Sequence, residues 1–248
     1  MIYLKSPDEI KRMSESCRIV AEALEKMKGM VTSGVTTKEL DGFAESFIRS
    51  RGAKPAFKGY RNYPSSVCTS INEQVVHGIP SSTKLKKGDI ISLDIGVYYK
   101  GFYGDAAVTL PVDGISDQAK KLLSVTEQAL EAGIEKAVNG NRLSDISSAI
   151  QKRAESEGFS VVRHFVGHGI GRELHEEPQI PNYGKPGDGP RLVEGMTLAI
   201  EPMINAGGWD VVILDDGWTA VTKDGSLSAH FEHTVAITKN GYNILTKL

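Results

Sequence analysis

The sequence predicts an α+β protein in which helices cover one face of a largely antiparallel, curved sheet, with the same order of elements occurring twice. Three observations predict it. Two capped helices open the chain and give way to a strand pattern from Ser65 to about Val112. A second pair of helices begins at Ser116, again followed by strands. Finally, Gly88-Asp89-Ile90-Ile91-Ser92-Leu93-Asp94 and Gly195-Met196-Thr197-Leu198-Ala199-Ile200-Glu201 each place a carboxylate six residues after a glycine, at the end of an apolar strand.

Ser6-Pro7-Asp8-Glu9 is a capping box with proline at the first helical position, and Ile10, Met13, Cys17, Val20, Leu24 and Met27 follow at helical spacing. Thr36-Thr37-Lys38-Glu39 repeats the capping signal ahead of Leu40, Phe43, Phe47 and Ile48, with Gly52 as the stop. Ile90 to Val97 and Phe102 to Leu110 read as strands joined by a short hairpin through Tyr99-Lys100-Gly101. Ser116-Asp117 opens the third helix and Ser144-Asp145 a shorter fourth one that ends at Gly158. Strands run from there to the end. No linker or low-complexity stretch separates the two halves, about 1–112 and 113–248, so 1–248 is read as a single domain.

A chain of 248 residues with 40% hydrophobic content can bury a full core. Lys+Arg 29 against Asp+Glu 31 leaves a net charge of -2, which argues against nucleic-acid binding through bulk charge. The most basic stretch, Lys84-Leu85-Lys86-Lys87, reads as an exposed turn. Two cysteines, Cys17 and Cys68, exclude a disulfide framework and fit a reducing compartment. Met1 to Ser6 shows no charged region leading into an apolar run, and no stretch approaches the roughly 20 apolar residues of a membrane span. The expectation is a cytoplasmic protein with no membrane partner.

The informative residues are acids on apolar strands. In the hairpin, Asp94 and Asp105 are expected opposite each other to within about one residue, where like charges about 5 Å apart destabilise the sheet. A bridging cation, a slipped register, or a lysine or arginine from another strand would each relieve that repulsion. Glu201 closes the apolar strand Leu198-Ala199-Ile200, and Glu232 interrupts an otherwise mostly apolar strand from Ala229 to Ile237. Ionised carboxylates in apolar surroundings need partners. Four of them carry a charge of about -4, which two divalent cations neutralise without adding protons. Such two-metal sites activate water for hydrolysis.

Of the six histidines, His77, His168 and His175 stand in glycine-rich or loop-like surroundings, where function is more common than packing. His164, His230 and His233 read as structural or supporting. Gly167-His168-Gly169-Ile170-Gly171-Arg172 lacks the last glycine of a dinucleotide fingerprint, and His175-Glu176-Glu177-Pro178-Gln179 lacks the second histidine of a zincin helix. Only Cys68 is placed to be a cysteine nucleophile, and a small buried residue is the better reading of it.

Asp94, Asp105, His168, Glu201 and Glu232, in this order and at these spacings, resemble the metal ligands of the methionine aminopeptidases. So do the stretches Ser70-Ile71-Asn72-Glu73, His77-Gly78-Ile79-Pro80, Gly104-Asp105, Gly167-His168-Gly169-Ile170-Gly171, His175-Glu176 and Ile200-Glu201-Pro202-Met203, over nearly the whole chain. The resemblance is to the short bacterial type I form. It implies the pita-bread fold with a pseudo-twofold relating the halves, and two divalent metal ions per chain (Co, Mn, Fe or Zn). It further implies that Asp105 and Glu232 bridge both ions, that Asp94 holds one, and that His168 and Glu201 hold the other. Glu201 would also shuttle protons, while His77 and His175 contact the scissile amide and carbonyl. A hydroxide held by the ions would attack that carbonyl. The methionine pocket would be formed by Tyr60, Tyr63, Cys68 and Trp218, with Phe57 and Leu174 where some relatives carry other residues.

The implied partners are the N-termini of nascent polypeptides and Met-starting peptides, with the ribosome as a candidate and a monomer as the expected state. Two other readings compete: an Xaa-Pro aminopeptidase of the same fold, which would need room for an extra N-terminal domain, and an inactive relative retained for peptide or ribosome binding. Intact residues at every ligand position weigh against the second.

Overall fold

Ser6 and Thr36 cap the first two helices as their capping boxes predict. The Ser6 hydroxyl accepts from the Glu9 amide at 3.3 Å while the Glu9 carboxylate accepts from the Ser6 amide at 2.8 Å. In the computed structural model, which describes residues 1–247, these caps open α1 (Pro7–Lys28) and α2 (Thr37–Ser50). Met13, Cys17, Val20 and Met27 line one face of α1 and are fully buried. The short strands β1 (Lys54–Pro55), β2 (Val67–Ile71) and β3 (Gln74–Val76) lead to the long hairpin of β4 (Ile90–Tyr99) and β5 (Phe102–Pro111). Lys100 and Gly101, both at positive φ, make its two-residue turn.

The second half repeats the order. Ser116 caps α3 (Asp117–Ile134). The next helix, α4 (Leu143–Glu155), starts one residue before the Ser144-Asp145 signal: Arg142 is the capping position, and its amide donates to the Asp145 carboxylate at 2.8 Å. A short side chain is not needed at the cap, because the first-turn amides of Leu143 and Ser144 donate to the Pro190 and Asp188 carbonyls at 3.0 and 3.2 Å. The strands that follow are β6 (Ser160–Val161), β7 (Gly167–Gly169), β8 (Glu176–Ile180), β9 (Thr197–Ile200), β10 (Met203–Asn205), β11 (Val211–Ile213), β12 (Ala220–Thr222), β13 (Ser228–His230), β14 (His233–Thr238) and β15 (Gly241–Ile244).

Among the described residues all strand pairs are antiparallel and fall in four hydrogen-bonded sheets. In the first half β5 flanks one edge of β4, with β2 and β1 in succession along the other. In the second, the order is β15-β14-β9-β7-β8. One core packs α1 and α2 on the first sheet, through Val20, Leu40, Ile48, Leu93 and Ile95. Another packs α3 and α4 on the second, through Leu122, Leu130, Ile146, Leu198 and Val235.

Hydrogen bonds join the halves beside Asp105 and Glu232. The Thr234 hydroxyl on β14 donates to the Asp105 carbonyl at 2.7 Å and accepts from its amide, and the Glu232 amide donates to the Ala107 carbonyl at 2.9 Å. The N-terminal helix approaches β5 so closely that a Cβ on Gly104 would meet the backbone and sulfur of Cys17 at 2.8 Å. Only glycine permits that approach, and Asp105 follows immediately. Both cysteines are buried and free. No helix among the described residues is long and apolar enough to cross a membrane.

Candidate active site

Asp94 and Asp105 are offset by two residues, not one. Asp94 pairs with Ala107 and Asp105 with Gly96. The difference is decisive, because a one-residue offset would place the two acids on opposite faces of the hairpin, whereas two keeps them on the same face as diagonal neighbours. On the other sheet His168 lies on β7 beside Ala199, so it belongs to a buried strand and not to the glycine loop that its neighbours suggest. Glu201 follows the last residue of β9, and Glu232 immediately precedes β14. Since His233 pairs with Ile200, these two acids flank one register pair. The expected strand from Ala229 to Ile237 is broken at Phe231-Glu232, where the chain passes from β13 to β14. That break turns Glu232 toward β5.

The four acids and His168 thereby line one cleft of about 830 Å³, including the space at its open mouth. Donor atoms of Asp105, His168 and Glu232 lie within 4.8 Å of one another, and the His168 Nε2 is 3.4 Å from Glu201. Burial pushes the Asp94 and Glu201 carboxyls up to about 7. It drives Asp105 and Glu232 well above the usual range, with the neighbouring acids adding repulsion. Asp94 Oδ1, Asp105 Oδ1 and Glu232 Oε1 are buried without a hydrogen-bond partner.

Among the described residues, the ion pairs of these acids are with His168 and His230 alone, so no lysine or arginine relieves the repulsion. Hard oxygen donors with orphaned lone pairs, plus one imidazole, are the donor set of a divalent cation site.

The rim holds the remaining predicted residues. His77 lies in a loop at φ 62°, its ring edge-on to Phe165 at 5.3 Å and to Trp218 at 6.2 Å. The His175 Nδ1 is 2.8 Å from the Tyr60 hydroxyl, and its ring centroid is 4.3 Å from that of His168. Partial desolvation lowers the half-buried His77 to about 4 and His175, exposed at the cleft mouth, to about 3, the latter with help from the His168 charge, so both rings are neutral at pH 7. Tyr63 donates to the Gly78 carbonyl at 2.9 Å and stands edge-on to Trp218 at 5.1 Å. Phe57, Leu174 and Cys68 complete an apolar end. Burial pushes the Cys68 thiol well up, which removes it as a nucleophile.

Sequence reasoning missed several groups. Arg61, Val76, Phe165, Val166 and Met203 also line the cleft. His230, read as structural or supporting, is 1% exposed, has both ring nitrogens unpartnered, and places its Nε2 3.6 Å from Glu201. The available signal was its position two residues before Glu232, on the same side of an alternating strand. His233 and His164 bond or stack elsewhere, with Thr246 and Trp209.

A model of metallopeptidase family M24 matches residues 11–239 of the chain. Methionine aminopeptidase 1 of Bacillus subtilis (strain 168) is 56% identical over 248 residues, with both chains covered completely. Among solved structures, a methionine aminopeptidase from Thermotoga maritima superimposes with a TM-score of 0.98 at 51% identity, covering 100% of both chains. A prolidase from Pyrococcus furiosus reaches a TM-score of 0.79 at 25% identity, with 99% of this chain but only 65% of that one covered. The match to the aminopeptidases is thus complete in both directions, while the match to the proline-directed enzyme leaves a third of that enzyme unaccounted for. The chain belongs to the methionine aminopeptidases of metallopeptidase family M24, a family of divalent-metal hydrolases with the pita-bread fold.

Proposed function

We propose that the chain removes the N-terminal methionine of nascent proteins and peptides whose second residue is small. It would use two divalent ions, Co, Mn, Fe or Zn, held by Asp94, Asp105, His168, Glu201 and Glu232. The observation that carries this reading is the convergence of two buried and two half-buried carboxylates, none paired with a lysine or arginine, on one imidazole at the floor of a cleft with an apolar end. Bound divalent ions lower the pKa of water and polarise a carbonyl. Asp94, Asp105, His168, Glu201 and Glu232 would together hold the ions, the carboxylate charge neutralising them.

Glu201, whose carboxyl burial raises to about 7 against the opposing His168 charge in the metal-free site, would take the proton from the attacking water and pass it to the departing amine. His175 and His77, kept neutral by desolvation, donate N–H bonds to the scissile carbonyl and amide as negative charge develops there. Phe57, Tyr60, Tyr63, Cys68, Leu174 and Trp218 enclose the methionine side chain. Both halves act as one catalytic domain, working as a monomer in the cytoplasm on chains emerging from the ribosome.

The test is release of free methionine from Met-Ala-Ser and Met-Lys-Ser, with and without added divalent metal. Metal-dependent release from the first peptide but not the second is expected. Equal release from both, or release that survives complete chelation, would overturn the reading.

A further inference from the structure

The residues before α1 reach into the active-site loop. The side chain of Lys5 is 4% exposed, its ammonium bonded to the equally buried Glu176 carboxylate and to the Tyr3 carbonyl at 3.1 Å. The other Glu176 oxygen accepts from the amides of Arg172 at 2.7 Å and Glu173 at 3.2 Å. One carboxylate thus closes the turn from Arg172 to Glu176, the turn that presents Leu174 and His175 to the cleft.

Space for the pair is reserved on both sides. A Cβ on Gly171 would meet the Lys5 Cε at 2.3 Å and Glu176 Oε1 at 2.9 Å, and one on Gly195 would meet the Lys5 carbonyl oxygen at 2.8 Å. The main chain is fastened as well, by the Lys5 amide to the Gly195 carbonyl at 2.8 Å and by a parallel bridge between Ile2 and Glu177. A second ion pair, Arg172 with Glu9 at 2.5 Å, ties the same turn to the first turn of α1.

A buried ion pair is poor evidence for stability, because an apolar pair of the same volume often serves as well. Its distinctive contribution is geometric: three donors converge on one rigid carboxylate next to a residue that the chemistry needs. We propose that Lys5 is a positioning residue for His175, acting through Glu176. Its ammonium fixes the carboxylate that closes the turn, and the closed turn aims the imidazole at the substrate carbonyl. Without the ammonium, Glu176 is a buried unpaired acid, the turn loosens, and His175 loses its fixed approach. This rests on the role given to His175 above.

The experiment is a double-mutant cycle on metal-replete protein with Met-Ala-Ser. Lys5→Met should lower kcat by about 10–100-fold, the usual effect of removing a partner that orients an active side chain, with little change in KM or metal content. Lys5→Arg should restore most of the rate. On a His175→Ala background, Lys5→Met should cause no further loss in kcat, which a purely structural effect would not mimic.

If Lys5→Met does not fold, Glu176→Gln leaves a single acceptor oxygen that cannot serve both the ammonium and the two amides, and should show the same loss and the same non-additivity. An unchanged kcat in the folded single variant, or losses that multiply in the double variant, would overturn the proposal. A His175→Ala enzyme with unchanged kcat would instead remove the role of His175, and the proposal with it.

Discussion

The acids on the floor of the cleft sit on or beside strands of both sheets, whereas the histidines of its rim sit in turns and loops. Asp94 and Asp105 are locked by the β4–β5 register, and Glu201 and Glu232 by the pairing of β9 with β14. His77 is held by the rings of Phe165 and Trp218, and His175 by the Tyr60 hydroxyl. One cause, loss of water, acts on both groups with opposite sign. It pushes the floor carboxyls up and the rim imidazoles down, because burial disfavours whichever form is charged. The floor is left needing cations, and the rim is left with neutral N–H donors beside them. Ladder hydrogen bonds would give the floor the precision that shared metal ligands demand, and the loops would let the rim accommodate a peptide.

The sharpest way to break this contrast is to remove a floor residue. Asp105→Ala should lose bound metal, read by elemental analysis, and fall to background activity, since two ions would lose a shared ligand. Full turnover by a metal-replete variant would end the assignment.

Removing a rim residue should do something different: His175→Ala keeps its metal and loses about 10²–10³ in kcat, as expected for an oxyanion donor. Loss of metal in that variant would erase the distinction between floor and rim.

At the apolar end, a peptide starting with norleucine in place of methionine should be disfavoured modestly, by about 1–3 kcal/mol in kcat/KM, because shape alone discriminates near-isosteres. A much larger penalty would point to a specific contact with the sulfur.

The smallest effect is on stability. In chelated protein, Asp94 and Glu201 at about 7 hold protons more tightly than their unfolded values of 3.8 and 4.5, so their ionisation destabilises the fold as pH rises from about 4 through 7. His77 and His233, lowered to about 4 from 6.5, act in the opposite sense between those two values. Above 6.5 the carboxylates act alone. The Tm of chelated protein should therefore drop as pH rises from about 6.5 to 8 while that of the metal-loaded protein stays nearly level. A level Tm without metal would mean that the acids ionise at no cost.

Much of this was legible in the sequence because local chemistry agreed with the global fold. The Ser6 and Thr36 capping boxes open their helices where expected, and the duplicated glycine-to-carboxylate spacing ends in Asp94 and Glu201, which both line one cleft. Register was less legible. The hairpin turn is readable from Lys100-Gly101, but an uncertainty of one residue at each strand end is enough to miss the two-residue offset.

The break at Phe231-Glu232 and the strand setting of His168 were hidden for another reason. Tertiary bonds such as that from the Glu232 amide to the Ala107 carbonyl decide them, and no local signal records those. Lys5 and Glu176, 171 positions apart, are illegible for the same reason.

The most direct test of the claim that paired cations neutralise the floor is anomalous diffraction from a manganese-soaked crystal. Two peaks about 3.5–4 Å apart, between Asp105 and Glu232 with Asp94 on one side and His168 and Glu201 on the other, are expected. A cleft without anomalous density in which the four carboxylates keep their present positions would contradict it.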